Sequence, residues 1–134
     1  MPFALSNRSR NNLVGVHPDL VKVVERAIVL TGIDFVVIEG VRTHERQAML
    51  VAQGASRTMH SRHLVGADGW GHAVDLAAIF EGEITWRSEV YRQLAPSVKA
   101  AAVELSTPIE WGGDWTTFHD LPHWQLPAGM RYPA

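Results

Sequence analysis

Apolar residues recur at helical spacing in Leu20, Val23, Val24, Ala27, Ile28 and Leu30, which predicts an amphipathic helix. His17-Pro18-Asp19 opens it, with proline tolerated in a first turn and Asp19 favourable at the positive end of the helix dipole; Gly32 stops it. Residues 1–16 lack such a period and read as an irregular lead-in. Asp34 to Glu39 is rich in β-branched and aromatic residues and predicts a strand ended by Gly40. A second helix is expected from Thr43, its N-cap, to Gln53, closed by Gly54. Residues 55–72 read as loop. Ala73 to Phe80 reads as a strand, Glu81-Gly82 as a turn, and a short strand follows through Trp86. Ser88 is a candidate cap for a third helix reaching about Leu105, with Pro96 an obstacle inside it. Pro108 to Trp111 and His123 to Leu126 read as short strands on either side of a Gly112-Gly113 turn. Helices and strands mix without strict alternation, so the expected class is α+β with a small, mostly antiparallel sheet.

Composition narrows the picture. The 134 residues fit one domain, expected to span 1–134, and 46% apolar with 19% charged residues is ordinary for a globular chain. A net charge of −2 offers no broad basic surface for nucleic acid. The absence of cysteine removes disulfides, thiolate metal sites and cysteine nucleophiles together. The first ten residues are polar and lack the apolar stretch of a secretory signal, and no segment is long and apolar enough to span a membrane. Cytoplasmic synthesis without membrane insertion is therefore expected.

The histidines cluster between Met59 and Asp75 and again between Phe118 and Trp124. Asp75 interrupts an otherwise apolar strand, where a carboxylate is costly unless it is paired or binds a metal. Alternation places it on the face of Ala73 and Ala77, whose small side chains leave room for another group. One reading is a buried aspartate satisfied by local amides. The other adds His63 and His123: two imidazoles and one carboxylate make a three-ligand zinc site with a fourth position for water. Such an ion acidifies water to a pKa of about 7 and polarises a carbonyl. Asp120, three residues before His123 with Pro122 between, is placed by a turn to relay a proton. The spacing does not match the helical His-Glu-x-x-His pattern.

Three segments carry a resemblance. Ser61-Arg62-His63 followed by Gly71-His72-Ala73-Val74-Asp75 resembles the Ser-x-His-x-x-Gly-x-Ala-x-Asp signature of the D-alanyl-D-alanine carboxypeptidase and dipeptidase superfamily. Trp111-Gly112-Gly113-Asp114-Trp115 with Phe118, Asp120, Pro122 and His123 is similar to its second signature, and Gly40-Val41-Arg42-Thr43 with Arg46-Gln47 to a third. The combination is most similar to the phage endolysin branch, the L-alanyl-D-glutamate endopeptidases, from about Gly15 to Leu126. The resemblance implies a small Hedgehog/D-Ala-D-Ala peptidase-like α+β fold and cleavage of peptidoglycan stem peptides. It implies that His63, Asp75 and His123 hold zinc, that Asp120 is the general base, that Arg42 stabilises the oxyanion, and that Ser61 binds substrate. A lytic enzyme without its own signal implies a holin partner and action on the wall in the periplasm after release.

One departure stands out. His63 and Asp75 lie twelve positions apart where the family pattern has seven, and the extra residues fall within 64–70. Their glycine-rich composition suggests a surface loop bulging between two retained ligands, at little closure entropy. Trp70 reads as core cover more than as groove lining. His72 reads as structural, and His60, His17, His44 and His119 are given no ligand role. Asp114 is the second choice for base, Gln47 is expected to support the Arg42 segment, and Glu39 and Glu110 need no catalytic role. The alternatives are a D-alanyl-D-alanine carboxypeptidase or dipeptidase on the same scaffold, and a non-catalytic zinc or peptidoglycan-binding module. Against the latter, Asp120 and Arg42 are both present.

Overall fold

The computed structural model describes residues 2–54, 61–116 and 119–128. The expectation for His60, and part of that for the 55–72 loop, lie outside the described residues. In chain order the elements are α1 (Asn7–Asn12), α2 (Pro18–Leu30), β1 (Phe35–Glu39), α3 (His44–Ala52), β2 (Ala73–Phe80), β3 (Glu83–Ile84), α4 (Ser88–Glu104), β4 (Glu110–Trp111), a 3-10 turn (Gly112–Asp114) and β5 (His123–Gln125). The strands form an antiparallel sheet in the order β1-β2-β5-β4, with β3 folded back on β2. The expected α+β class is the one observed. Among the described residues, no helix is long and apolar enough to cross a membrane.

Helices cover one face of the sheet. Most of the predicted stripe of α2 is inside: Leu20, Val23, Val24 and Ala27 have no exposed surface, Ile28 is buried, and Leu30 is half-buried at the margin. On the opposed helix, α4, the buried residues Val90, Tyr91, Leu94, Val98, Ala101 and Ala102 again recur at three- to four-residue spacing. Phe35, Val37, Val74, Leu76, Ala78, Trp111 and Trp124 supply the sheet side of this core. Each fully buried Leu or Val is worth about 2 kcal/mol. Pro96 does not break α4, because it lies on the exposed side, where water can satisfy the carbonyl that loses its partner. Ser88 begins that helix but does not cap it; Arg87 takes the cap position with no side-chain bond.

The lead-in is not irregular. Residues 7–12 form α1, capped by Ser6 Oγ on the Ser9 amide at 3.1 Å. This short polar helix has no apolar period to betray it. It is held by hydrogen bonds to the free edge of β1: the Val37 amide donates to Ser9 Oγ at 2.9 Å, and Asn12 Nδ2 donates to the Val37 carbonyl at 2.8 Å. Two side chains thus satisfy a strand edge that would otherwise invite another strand.

The residues inserted between His63 and Asp75 make a tight hairpin rather than a loose bulge. Val65 bridges Gly71, the Gly66 amide donates to the Trp70 carbonyl at 2.9 Å, and Gly69 turns the chain at φ +85°. Asp68 braces it by accepting from the Trp70 amide at 3.1 Å and from His72 Nε2 at 2.7 Å. The base is tied to the body through His17 N to Gly71 O at 2.8 Å and Gly71 N to Gly15 O at 3.0 Å. The expectation that Trp70 covers the core is corrected. The hairpin is too short to turn its indole inward, so Trp70 stays 37% exposed and meets His17 edge-on.

Gly40 ends β1 because nothing larger fits: a Cβ there would lie 1.9 Å from the Asn12 carbonyl oxygen. Gly32, by contrast, has open space around it. We expect Gly40→Ala to cost about 3 kcal/mol or more, and Gly32→Ala to leave stability within about 0.5 kcal/mol of the parent. Urea unfolding midpoints of the two variants test this; equal midpoints would contradict it.

Candidate metal centre

The sheet face away from the helices carries the chemistry. Register pairs Glu39 with Asp75 across β1 and β2, and Asp75 with His123 across β2 and β5. Directly paired residues share a face, so these three side chains form one row across three strands. Gln125, two residues beyond His123, is paired with both Ala73 and Glu110 on that face. Small Ala73 and Ala77 flank Asp75, as alternation predicted.

His63 enters from the loop. Its ring Nδ1 lies 2.9 Å from the Gly40 carbonyl, which can only accept, so Nδ1 carries the proton and Nε2 presents a lone pair. Its own carbonyl accepts from the Arg42 amide at 2.8 Å. His63 Nε2 and His123 Nδ1 then stand 3.2 Å apart, and each faces Asp75 Oδ1, at 3.4 and 3.3 Å. Asp75 Oδ1 is buried yet makes no hydrogen bond. Three ligand atoms within 4.8 Å of one another could hold a metal ion. A buried carboxylate oxygen left unsatisfied between two imidazole nitrogens is the arrangement that a cation completes.

Electrostatics agree. Burial pushes the Asp75 carboxyl up, but the attraction of the His123 and His63 imidazoles outweighs it and holds it well below the usual carboxylate range. Burial alone would lower His123; Asp75 reverses this, helped by Gln125 and Asp120, and raises it. Without a cation the cluster therefore attracts a proton, and a metal must displace it.

Asp120 sits in the turn before β5, with Oδ2 3.9 Å from His123 Nδ1 and 34% of its side chain exposed. Gly112 allows the approach, and Gly113 makes room for the Trp111 ring. A Cβ on Gly112 would fall 2.2 Å from the Asp120 carbonyl oxygen, and one on Gly113 would fall 2.3 Å from the Trp111 ring. Burial and the Asp75 charge raise the Asp120 carboxyl above its ordinary range, against the pull of His123, His63 and Arg42. Asp114, the second choice for base, is exposed and ion-paired with Lys99 of α4 at 2.7 Å. Trp115 leans on the His123 ring at 5.2 Å.

Arg42 reaches the row from beyond β1. Glu39 grips it with two bonds, from Nε at 2.7 Å and Nη2 at 2.9 Å, while Nη1 donates to Gln47 Oε1 at 2.8 Å and meets Ser61 Oγ at 3.5 Å. Nη2 lies 3.8 Å from Asp75 Oδ2. Gln47 supports this segment as expected and is fully buried. The structure thus brings together all six predicted residues, His63, Asp75, His123, Asp120, Arg42 and Ser61. His72 is engaged with Asp68, His17 caps α2 through Nδ1, His44 starts α3, and His119 Nδ1 lies 3.2 Å from the Gly113 carbonyl. Sequence reasoning missed the partners of the site: Glu39, Gly40, Gln125 and Glu110. Only Gln125 had a signal, since a residue two places along a strand shares its face.

Against this geometry, comparison with known proteins is decisive. The model of a family described as phage L-alanyl-D-glutamate peptidase matches residues 1–124. The chain belongs to that family. It is 31% identical over 127 residues to the L-alanyl-D-glutamate peptidase of Escherichia phage T5, covering 90% of this chain and 89% of that protein. It is 40% identical over 95 residues to the L-alanyl-D-glutamate peptidase of Listeria phage A118, covering 71% of this chain but 31% of that longer protein. Among solved structures, the Serratia marcescens L-Ala D-Glu endopeptidase ChiX superposes with a TM-score of 0.85 at 43% identity, covering 94% of this chain and 91% of that one.

Removing Glu39 would leave a largely buried guanidinium with weaker partners. Breaking a fully buried pair costs about 3–5 kcal/mol. Arg42 is 10% exposed, but Glu39 keeps 24% of its side chain in water and Asp75 remains near. Glu39→Ala is therefore expected to cost about 2 kcal/mol. Thermal or urea unfolding checks this, and a variant as stable as the parent would contradict the clamp.

Proposed function

We propose that this chain is a zinc-dependent endopeptidase that hydrolyses the L-alanyl-D-glutamate bond of peptidoglycan stem peptides, acting as one domain over residues 1–134. The observation that carries the proposal is the convergence of His63 Nε2, His123 Nδ1 and the unsatisfied Asp75 Oδ1, with the partly exposed Asp120 beside them. Two nitrogens and one oxygen form the ligand set of catalytic zinc sites, which keep a fourth position open. When bound, zinc supplies Lewis acidity, polarising the scissile carbonyl and acidifying water.

The side chains do the rest. Asp120 accepts the proton of the attacking water as the new C–O bond forms. It then delivers that proton to the departing amine nitrogen of D-glutamate as the C–N bond breaks. Arg42, fixed by Glu39 and Gln47, provides the positive field that stabilises the developing oxyanion. Ser61 Oγ accepts from the His63 amide at 3.1 Å, which leaves its own hydrogen for a substrate oxygen. The family name and the endopeptidase names of the relatives favour this bond over a terminal D-alanine. Action on the cell wall after synthesis in the host cytoplasm, with a holin opening the way, completes the reading.

Mass spectrometry of muropeptides incubated with zinc-loaded protein tests it, and products cut between L-alanine and D-glutamate are expected. Asp120→Ala should lower kcat by about 100- to 10,000-fold while still binding zinc. Release of a terminal D-alanine alone, or full activity in the variant, would refute the corresponding part.

A further inference from the structure

His123 has a proton to place, and two carboxylates compete for it from opposite sides of the ring. On one side, Nδ1 lies 3.3 Å from Asp75 Oδ1. On the other, Nε2 lies 2.8 Å from Gln125 Oε1, and Gln125 Nε2 donates to Glu110 Oε2 at 3.2 Å. A neutral imidazole whose proton is on Nδ1 points a hydrogen at the ligand cluster and cannot bind a metal there. One whose proton is on Nε2 presents the lone pair. Taken alone, Gln125 cannot decide between these forms, since its amide can offer either an oxygen or an N–H.

We infer that Glu110, acting through Gln125, is a positioning residue that sets the ring tautomer of His123 and so prepares Nδ1 to bind metal. The logic is one of polarity. A carboxylate only accepts, so Glu110 forces the NH₂ end of Gln125 toward itself. The Gln125 oxygen is then turned to His123, where it can only accept, and the proton must sit on Nε2. The Gly40 carbonyl does the same for His63 from the other side of the site. Both imidazoles are thereby held with lone pairs facing Asp75 Oδ1, and outer partners of this kind fix ring orientation and raise ligand basicity. The register that pairs Glu110 with Gln125 and Asp75 with His123 builds the whole chain of bonds into the sheet.

The inference rests on the metal-centre reading for its consequence, but the tautomer can be read without metal. We would record nitrogen-15 spectra of labelled histidine in the metal-free protein at alkaline pH, where the ring is neutral, and measure zinc affinity by chelator competition. The wild type should show His123 protonated on Nε2. In Glu110→Gln the constraint disappears while a hydrogen bond to Gln125 remains possible. The Nδ1-protonated form should then appear and zinc affinity fall about tenfold. The exchange variant E110Q/Q125E places the acceptor directly against His123 and should restore the Nε2 proton and the affinity to the wild-type level or above. A wild type protonated on Nδ1, or an E110Q protein with unchanged tautomer and affinity, would overturn the inference, since a merely structural bridge predicts no change. If the wild type takes up no zinc, the metal reading fails, yet the tautomer comparison still decides for or against the relay.

Discussion

Moving the Asp75 carboxylate from water into the middle of an antiparallel sheet costs several kcal/mol unless positive partners meet it. Much of the arrangement around it is the supply of those partners. Strand register places His123 on one side, and on the other Glu39, an anion that serves Asp75 only through the arginine it holds. The Gly40 carbonyl orients His63 toward Asp75, and Glu39 brings Arg42 within 3.8 Å of its second oxygen. Even so, Oδ1 keeps no hydrogen bond. The protein has brought the charge inside, set two imidazole nitrogens 3.4 and 3.3 Å from Oδ1 and left that oxygen for a cation to complete. That unfinished interaction is what turns a structural row into a candidate metal centre.

The surrounding fold buries the histidines of the site but leaves part of Glu39 and Asp120 in water. The helices α2 and α4 lie on the far face, where a continuous core fixes the sheet. The three candidate ligands ride on β2, β5 and a loop tied to the end of β1, so their separations are set by backbone hydrogen bonds rather than by long side chains. Glycines at 40 and 112 permit the closest approaches, of the chain past Asn12 and past Asp120 respectively. The inserted hairpin leaves this arrangement intact because its base is zipped at Val65 and Gly71, ahead of Asp75. Its braced tip extends outward, and the separation of His63 from Asp75 in sequence does not become separation in space.

Much of this was legible in the sequence, for physical reasons. Helix α2 and strand β2 announce themselves through apolar periodicity, and Asp75 through the cost of a charge in an apolar strand. The grouping of His63, Asp75 and His123 was legible once motif resemblance was added to that cost. What remained hidden depends on register. Nothing in the chain says that Glu39 pairs with Asp75, or Glu110 with Gln125, so their parts in holding Arg42 and His123 emerge only in three dimensions. Helix α1 was missed because its stability lies in Ser9 and Asn12 bonding a strand edge, not in a period. Trp70 was misjudged because bulk argues for burial, while a short hairpin gave its indole no route inward.

A preorganised zinc centre built from His63, Asp75 and His123 would have a defined coordination shell. X-ray absorption at the zinc edge on stoichiometrically loaded protein tests it most directly. A low-coordinate shell is expected, with two imidazole nitrogens and oxygen neighbours, all at about 2.0–2.2 Å. A six-coordinate, all-oxygen shell, or a shell unchanged when His63 and His123 are both replaced, would contradict it.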